Sequence, residues 1–153
     1  MDRIMSWNWN TIILTIITIF SCIFISSCAG KVPTTIGQFS VCPRTSNCVS
    51  TKNINTKNYI SPIYYRGSRD NAKRVLLLAI QPIKFASIKK ELDQFIHIEV
   101  TSKIFGFVDD VEFYLNEPGI IHFRSASRIG YSDLGVNRER METIRKAFQN
   151  LQE

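Results

Sequence analysis

The spacing of apolar residues predicts two helices. Between Arg69 and Ile80 they recur every three or four positions, with Ser68 before them as a candidate N-cap and Pro82 after them as a stop. Residues 137–151 carry a second apolar stripe with the same spacing, formed by Met141, Ile144, Phe148 and Leu151. We therefore expect one helix in the middle of the chain and one at its carboxyl end.

Between these helices, the hydrophobic pattern changes to that of β-strands. Residues 84–92, 95–102, 108–115 and 121–127 alternate with period two or are rich in branched and aromatic side chains. Residues 49–66 lack such a pattern and indicate irregular surface chain with at most a short edge strand. The order predicts an α+β fold, in which a four-stranded antiparallel sheet has both helices packed on one face.

The turn Asn116-Glu-Pro-Gly119 predicts the register of the last two strands. With Leu115 opposite Ile121, side chains alternate between the two faces of the sheet, so that one face is apolar and the other charged. On the apolar face, Phe113 pairs with Phe123 and Val111 with Ser125. On the charged face, Glu112 lies opposite Arg124, Tyr114 lies opposite His122, and Asp110 lies near Arg128. The preceding strand adds His97 and Glu99 to the charged face.

An apolar run near the amino terminus has the layout of a signal peptide. Residues 11–25 follow a polar start and lead into Ile25-Ser26-Ser27-Cys28-Ala29, which resembles the lipobox of bacterial lipoproteins. That resemblance implies removal of residues 1–27 and acylation of Cys28, and Ala29 resembles the outer-membrane sorting class. The run is shorter than the about 20 apolar residues that span a membrane. An uncleaved membrane-anchoring helix is the alternative.

Cys42 and Cys48 are candidates for a disulfide. They lie six positions apart in a chain predicted to be exported, and small cysteine loops are common in oxidising compartments. Free thiols and a metal site are the alternatives. Zinc would need about four ligands, and only His97 and His122 are available as histidines. We therefore predict no metal.

Charge adds information about partners. The formal net charge is +6, and all of this excess lies after Gly30 because Asp2 and Arg3 cancel. Predicted export and scattered lysines without a stacking-aromatic motif argue against nucleic acid. A basic domain on a lipid anchor would instead be attracted to anionic headgroups or acidic envelope polymers.

The densest polar pattern follows the predicted hairpin, in Arg124-Ser-Ala-Ser-Arg128, Gly130 and Ser132-Asp-Leu-Gly-Val-Asn-Arg138. Together with Cys42-Pro43, Asn47-Cys-Val-Ser50 and Ile60-Ser-Pro-Ile63, it resembles the family of unknown function numbered 1499, which occurs in bacterial envelope proteins. The resemblance covers nearly all of the chain from Phe39 onward. It implies a domain boundary but no catalytic residues and no ligand.

The same segment suggests two roles. A glycine-containing loop that opens into a helix beside several arginines could hold a phosphate or carboxylate. Alternatively, Asp109, Asp110, Glu112 and Asp133 could neutralise the arginines in a structural network. The candidate ligand-binding residues are Asp110, Glu112, Arg124, Ser125, Ser127, Arg128, Tyr131, Asp133, Asn137 and Arg138.

No catalytic constellation is evident. Asp109 and Asp110 are adjacent, so in a strand they point to opposite faces and cannot cooperate on one substrate. We expect no cofactor, because the spacing matches neither nucleotide fingerprint. We therefore predict a signal segment (1–27), a tether (28–40) and one α+β domain (41–153). Its predicted role is binding or scaffolding at the extracytoplasmic membrane surface; a hydrolase-like enzyme is the alternative.

Overall fold

The computed structural model describes residues 30–152. The predicted signal segment and Cys28 lie outside these residues. The elements follow one another in the order β1 (Cys48–Ser50), β2 (Ile63–Tyr64), α1 (Arg69–Ile80), β3 (Ala86–Leu92), β4 (Phe95–Thr101), β5 (Val108–Glu117), β6 (Ile120–Ser127) and α2 (Val136–Gln152).

The sheet is antiparallel and has six strands in the described chain, so the prediction of four strands was wrong. The order is β1–β6–β5–β4–β3, and β2 also pairs with β6, beyond the end of β1. The two additional strands have three and two residues, which is too short for a period-two pattern, and β2 lies in the stretch where at most a short edge strand was expected. They form because β6 would otherwise expose its outer backbone groups.

The two predicted helices are confirmed, and both pack on one face of the sheet. Ser68 caps α1 by accepting a hydrogen bond from the Asn71 N–H, at 3.2 Å. The Asp133 carboxylate accepts the backbone N–H of Asn137 in the first turn of α2, at 2.8 Å. The buried faces of both helices join one hydrophobic core with the apolar residues of β4, β5 and β6.

The predicted pairing of β5 with β6 is confirmed along most of its length. Phe113 lies opposite Phe123, and Glu112 lies opposite Arg124. The register shifts after Tyr114, so that Glu117 pairs with Ile120 and the turn consists of Pro118 and Gly119. Gly119 has φ +79°, which is strained for residues with a Cβ.

Residues 30–41, which we call the covering segment, lie across the face of the sheet opposite the helices. The Gly37 N–H donates to Glu112 Oε2 at 2.7 Å, and the Phe39 N–H donates to Tyr114 Oη at 2.9 Å. The covering segment includes most of the predicted tether, and these contacts join it to the domain.

A disulfide follows the covering segment directly. Cys42 and Cys48 are bonded, with sulfurs 2.03 Å apart, which confirms the predicted pair. Since Cys48 begins β1, the bridge connects the end of the covering segment to the edge of the sheet. No helix within residues 30–152 is long and apolar enough to cross a bilayer.

Candidate functional site

The face of the sheet under the covering segment carries ionisable groups from β4, β5 and β6; we call it the charged face. Strand alternation places them there, because each precedes or follows a core residue on its strand. Asp110 and Glu112 are fully buried even though they point away from the core. Buried carboxylates are tolerated only where other groups compensate their charge.

Asp110 is compensated by two cationic or hydrogen-bonding side chains. His97 Nε2 lies 2.8 Å from Asp110 Oδ1, and Arg128 makes a two-point contact with both carboxylate oxygens at 2.9 Å. Burial opposes ionisation of Asp110, but the hydrogen bonds from His97 and Arg128 outweigh it and lower the pKa of the carboxyl group. Asp110 is therefore held as a buried anion.

Arg128 extends this cluster to Glu99. Its guanidinium also donates to Glu99 Oε1, while Lys89 Nζ lies 3.2 Å from Glu99 Oε2. Burial raises the pKa of Glu99, but the hydrogen bonds from Arg128 and Lys89 have the stronger effect and lower it. The cluster thus joins β3, β4 and β5 to the end of β6.

The cluster contains metal-ligand types, yet its geometry is that of an ion-pair network. Ligand atoms of His97, Glu99 and Asp110 lie within 4.8 Å of one another. The Arg128 guanidinium contacts both carboxylates at this point. A metal would have to displace this fixed positive charge, so the residues do not fit a metal centre.

Glu112 is the centre of a second cluster. It accepts from Arg124 Nη1 at 3.1 Å, from Tyr114 Oη at 2.5 Å and from the Gly37 N–H. Burial and the neighbouring Glu112 carboxylate raise the pKa of Tyr114, so its hydroxyl stays a donor. Arg124 Nε is buried with no hydrogen-bond partner among the described residues.

The remaining candidates lie on the helix side of the sheet, except for Tyr131. Asn137 is their centre: its Oδ1 accepts from Ser125 Oγ at 2.5 Å, and its Nδ2 donates to Ser127 Oγ at 3.1 Å and to Asp133 Oδ2 at 2.8 Å. Arg138 donates to the carbonyls of Lys57 and Tyr59, both at 2.9 Å. These contacts fasten α2 to the sheet and to the loop before β2.

The ten candidates are thus divided by the sheet. Asp110, Glu112, Arg124 and Arg128 share the charged face, and Ser125, Ser127, Asp133, Asn137 and Arg138 share the helix side, while the Tyr131 side chain is exposed in the loop between β6 and α2. The reason is the pleat: Arg124 and Ser125 are consecutive, so they point in opposite directions.

Some polar residues central to the structure were absent from the candidates. Asn47 Nδ2 donates to the Gly130 carbonyl at 2.7 Å, and Asn58 Nδ2 donates to the carbonyls of Thr45 and Cys48 at 2.9 and 2.7 Å. Arg140 Nη2 pairs with Asp109 Oδ2 at 2.6 Å. The sequence signals were the place of Asn47 in the segment 47–50 that carries the family resemblance, and the expectation that Asp109 neutralises an arginine.

These features define a class: a small α+β domain whose antiparallel sheet has a helix-packed apolar face and an ion-paired face closed by the chain itself. The chain belongs to the family described as Protein of unknown function (DUF1499), whose model matches residues 38–148. This confirms the predicted domain family. No curated protein matches the sequence.

Proposed function

We propose that the protein is a lipid-anchored, extracytoplasmic module of the cell envelope that binds or scaffolds other components rather than catalysing a reaction. The observation that carries the non-catalytic part is the closure of the charged face. Asp110 and Glu112 are fully buried and bonded within the fold, and the covering segment lies over them. Reactive groups need access to a substrate.

The disulfide supports the extracytoplasmic part of the proposal. Disulfides form and persist in oxidising compartments and are rare in a reducing cytosol. The Cys42–Cys48 bridge also lies where it fastens the covering segment. An exported domain would form that connection after leaving the cytosol.

The position of Cys28 supports the anchor. It lies two residues before Gly30, where the covering segment begins. Acyl chains on Cys28 contribute about 0.8 kcal/mol per buried methylene, so several chains would hold the domain on a membrane without a spanning helix. The covering segment would then connect the anchor to the sheet.

The experiment is acyl labelling of the protein expressed in a bacterium that carries out lipoprotein maturation. We expect wild type and the matched control Cys22→Ser to incorporate labelled fatty acid and to lose residues 1–27, whereas Cys28→Ser does neither. Intact mass of the membrane-extracted protein reports both changes. Acylation that persists in Cys28→Ser would contradict the lipoprotein assignment. A wild-type mass that retains residues 1–27 would also contradict it, in favour of the uncleaved anchor.

The unpartnered Arg124 Nε favours a finer version of the binding role, in which a small anion is held beneath the covering segment. A buried guanidinium N–H without an acceptor is costly, and a phosphate or carboxylate oxygen would satisfy it. Inorganic phosphate should then raise the thermal midpoint of wild type but not of Arg124→Lys. An unchanged wild-type midpoint would remove this version and leave the scaffold.

A further inference from the structure

Many of the large apolar side chains that are exposed in the described chain lie at one end of the sheet. Seven of them belong to two neighbouring segments, the β4–β5 loop and the stretch from the end of β6 to the start of α2. Ile104, Phe105, Tyr131 and Leu134 are 84, 63, 70 and 96 % exposed. We call this region the apolar end; its other members are Phe107, Ile129 and Val136.

The two segments are adjacent in space. The Arg128 N–H donates to the Val108 carbonyl at 3.0 Å, and a cavity of about 220 Å³ between the segments is lined by Phe107, Ile129 and Val136 among others. Three members of the apolar end therefore surround one opening, and the two segments that carry all seven are neighbours. Contiguous apolar patches of this kind mark interaction sites.

The backbone holds these side chains outward. In the β4–β5 loop, Ser102 bonds to both backbone polar groups of Phe107, and the rings of Phe105 and Phe107 stack at 5.4 Å. Leu134 has φ +56°, a left-handed conformation that is strained for leucine. Residues in such strained conformations cluster at functional sites.

The chain enters the domain at this same end. Gly30 lies so close to the end of β6 that an added Cβ would be 2.8 Å from Arg128 Cβ and 2.9 Å from Ile129 Cγ2. The described chain therefore begins next to the apolar end.

The charges around the apolar end suit an anionic surface. Lys31 and Lys103 are exposed beside it. Of the nearby acidic groups, Asp109 pairs with Arg140 and Asp133 caps α2, while Glu139 in the first turn of α2 is exposed. Lysines at a membrane surface gain from anionic headgroups, while nearby aromatic side chains enter the interface.

From these observations we infer that the apolar end inserts into the headgroup region of the bilayer next to the anchor, and so sets the orientation of the domain on the membrane. The occupant of the patch is a lipid surface. The inference rests on the proposed function only for the membrane attachment of the amino-terminal segment. The β5–β6 hairpin and Tyr64, at the opposite end of the sheet, then face away from the membrane.

Depth-dependent fluorescence quenching tests this inference with the full chain. Trp7→Phe and Trp9→Phe first remove the two native tryptophans. A single tryptophan is then introduced at the apolar end by Phe105→Trp. The matched control is Tyr64→Trp, which replaces a similarly exposed aromatic residue (64 %). Each protein is reconstituted into vesicles of phosphatidylethanolamine and phosphatidylglycerol with brominated acyl chains. We expect several-fold stronger quenching for Phe105→Trp, and equal quenching at both positions would overturn the inference.

A second measurement uses the wild-type chain and so does not depend on how a variant folds. Hydrogen exchange of residues 102–107 and 128–135 should slow in the vesicles relative to detergent, while residues 117–120 stay unchanged. If exchange of residues 102–107 and 128–135 instead slows without lipid, and only at high protein concentration, the occupant is a second copy of the chain. That result would overturn the inference. The lipoprotein assignment is tested separately, by the acylation of Cys28. Without acylation, the apolar run of the uncleaved chain would still attach the protein to vesicles, so the two tests can fail independently.

Discussion

Both faces of the central sheet exclude water at their centres, but opposite chemistry closes them. On the helix side, Val111 and Phe113 are buried against α1 and α2. On the charged face, Asp110 and Glu112 are just as buried, but their partners are His97, two arginines and the covering segment. Both faces therefore exclude water at these positions. They differ in what the buried groups contact, which is apolar side chains on the helix side and cationic or hydrogen-bonding groups on the charged face.

This difference has a consequence for specificity. Apolar packing is non-directional and tolerates substitutions that conserve volume. A buried ion pair is strongly directional, and removal of one partner leaves a charge that nothing compensates. The charged face therefore positions the covering segment through directional hydrogen bonds to Glu112 and Tyr114, whereas the apolar face provides most of the favourable free energy of folding.

The largest expected effect is on the apolar face. Phe113→Ala should destabilise the protein by about 3–5 kcal/mol, because it removes a fully buried ring and leaves a cavity. Urea unfolding followed by circular dichroism measures the loss. A loss below about 1 kcal/mol would show that this face is not the main core.

A somewhat smaller loss is expected on the charged face. Arg128→Met keeps much of the side-chain volume but leaves Asp110 as a buried, poorly compensated anion, at a cost of about 3 kcal/mol near neutral pH. The double variant Arg128→Met/Asp110→Leu is the control, and it should recover most of the stability. No recovery would mean that Arg128 acts through packing alone.

The acid dependence of this effect separates the two faces further. The pKa values of Asp110 and Glu99 are lowered in the folded state from ordinary values of 3.8 and 4.5. The contribution of these two carboxylates to the free energy of unfolding is therefore complete above their ordinary pKa values. It is lost as the pH falls through their folded-state pKa values. The loss of stability caused by Arg128→Met should shrink below about pH 4, while the loss caused by Phe113→Ala should persist. If both losses depend on pH in the same way, the ion-pair assignment is contradicted.

The smallest expected effect concerns the covering segment. The Phe39 ring lies 4.6 Å from the Tyr114 ring and 5.4 Å from that of His122, and aromatic pairs contribute about 0.5–1.5 kcal/mol. Phe39→Ala should therefore cost about 1 kcal/mol globally but strongly increase hydrogen exchange at Gly37 and Phe39. Lys52→Ala, which removes the bond to the Phe39 carbonyl, is a milder comparison. Unchanged exchange at both amides would show that the ring does not hold the segment.

Much of the fold could be predicted from local pattern. The alternation in residues 108–127 and the predicted turn at residues 116–119 were sufficient to pair Phe113 with Phe123 and Glu112 with Arg124, since a one-residue slip would bury charge. The candidate site was less predictable. Proximity in sequence grouped Arg124 with Ser125, although the pleat directs them to opposite sides of the sheet.

By itself, the sequence determined the two helices, the four longer strands, the apolar and charged faces and the close spacing of the bonded cysteines, because each depends on periodicity or on short separation along the chain. Only the tertiary structure decided the rest. β1 and β2 exist because the edge of β6 needs partners, and Glu112 meets Gly37 across 75 positions. The apolar end likewise forms from two loops that only the folded sheet brings together, since long-range contacts leave no periodic trace in the chain.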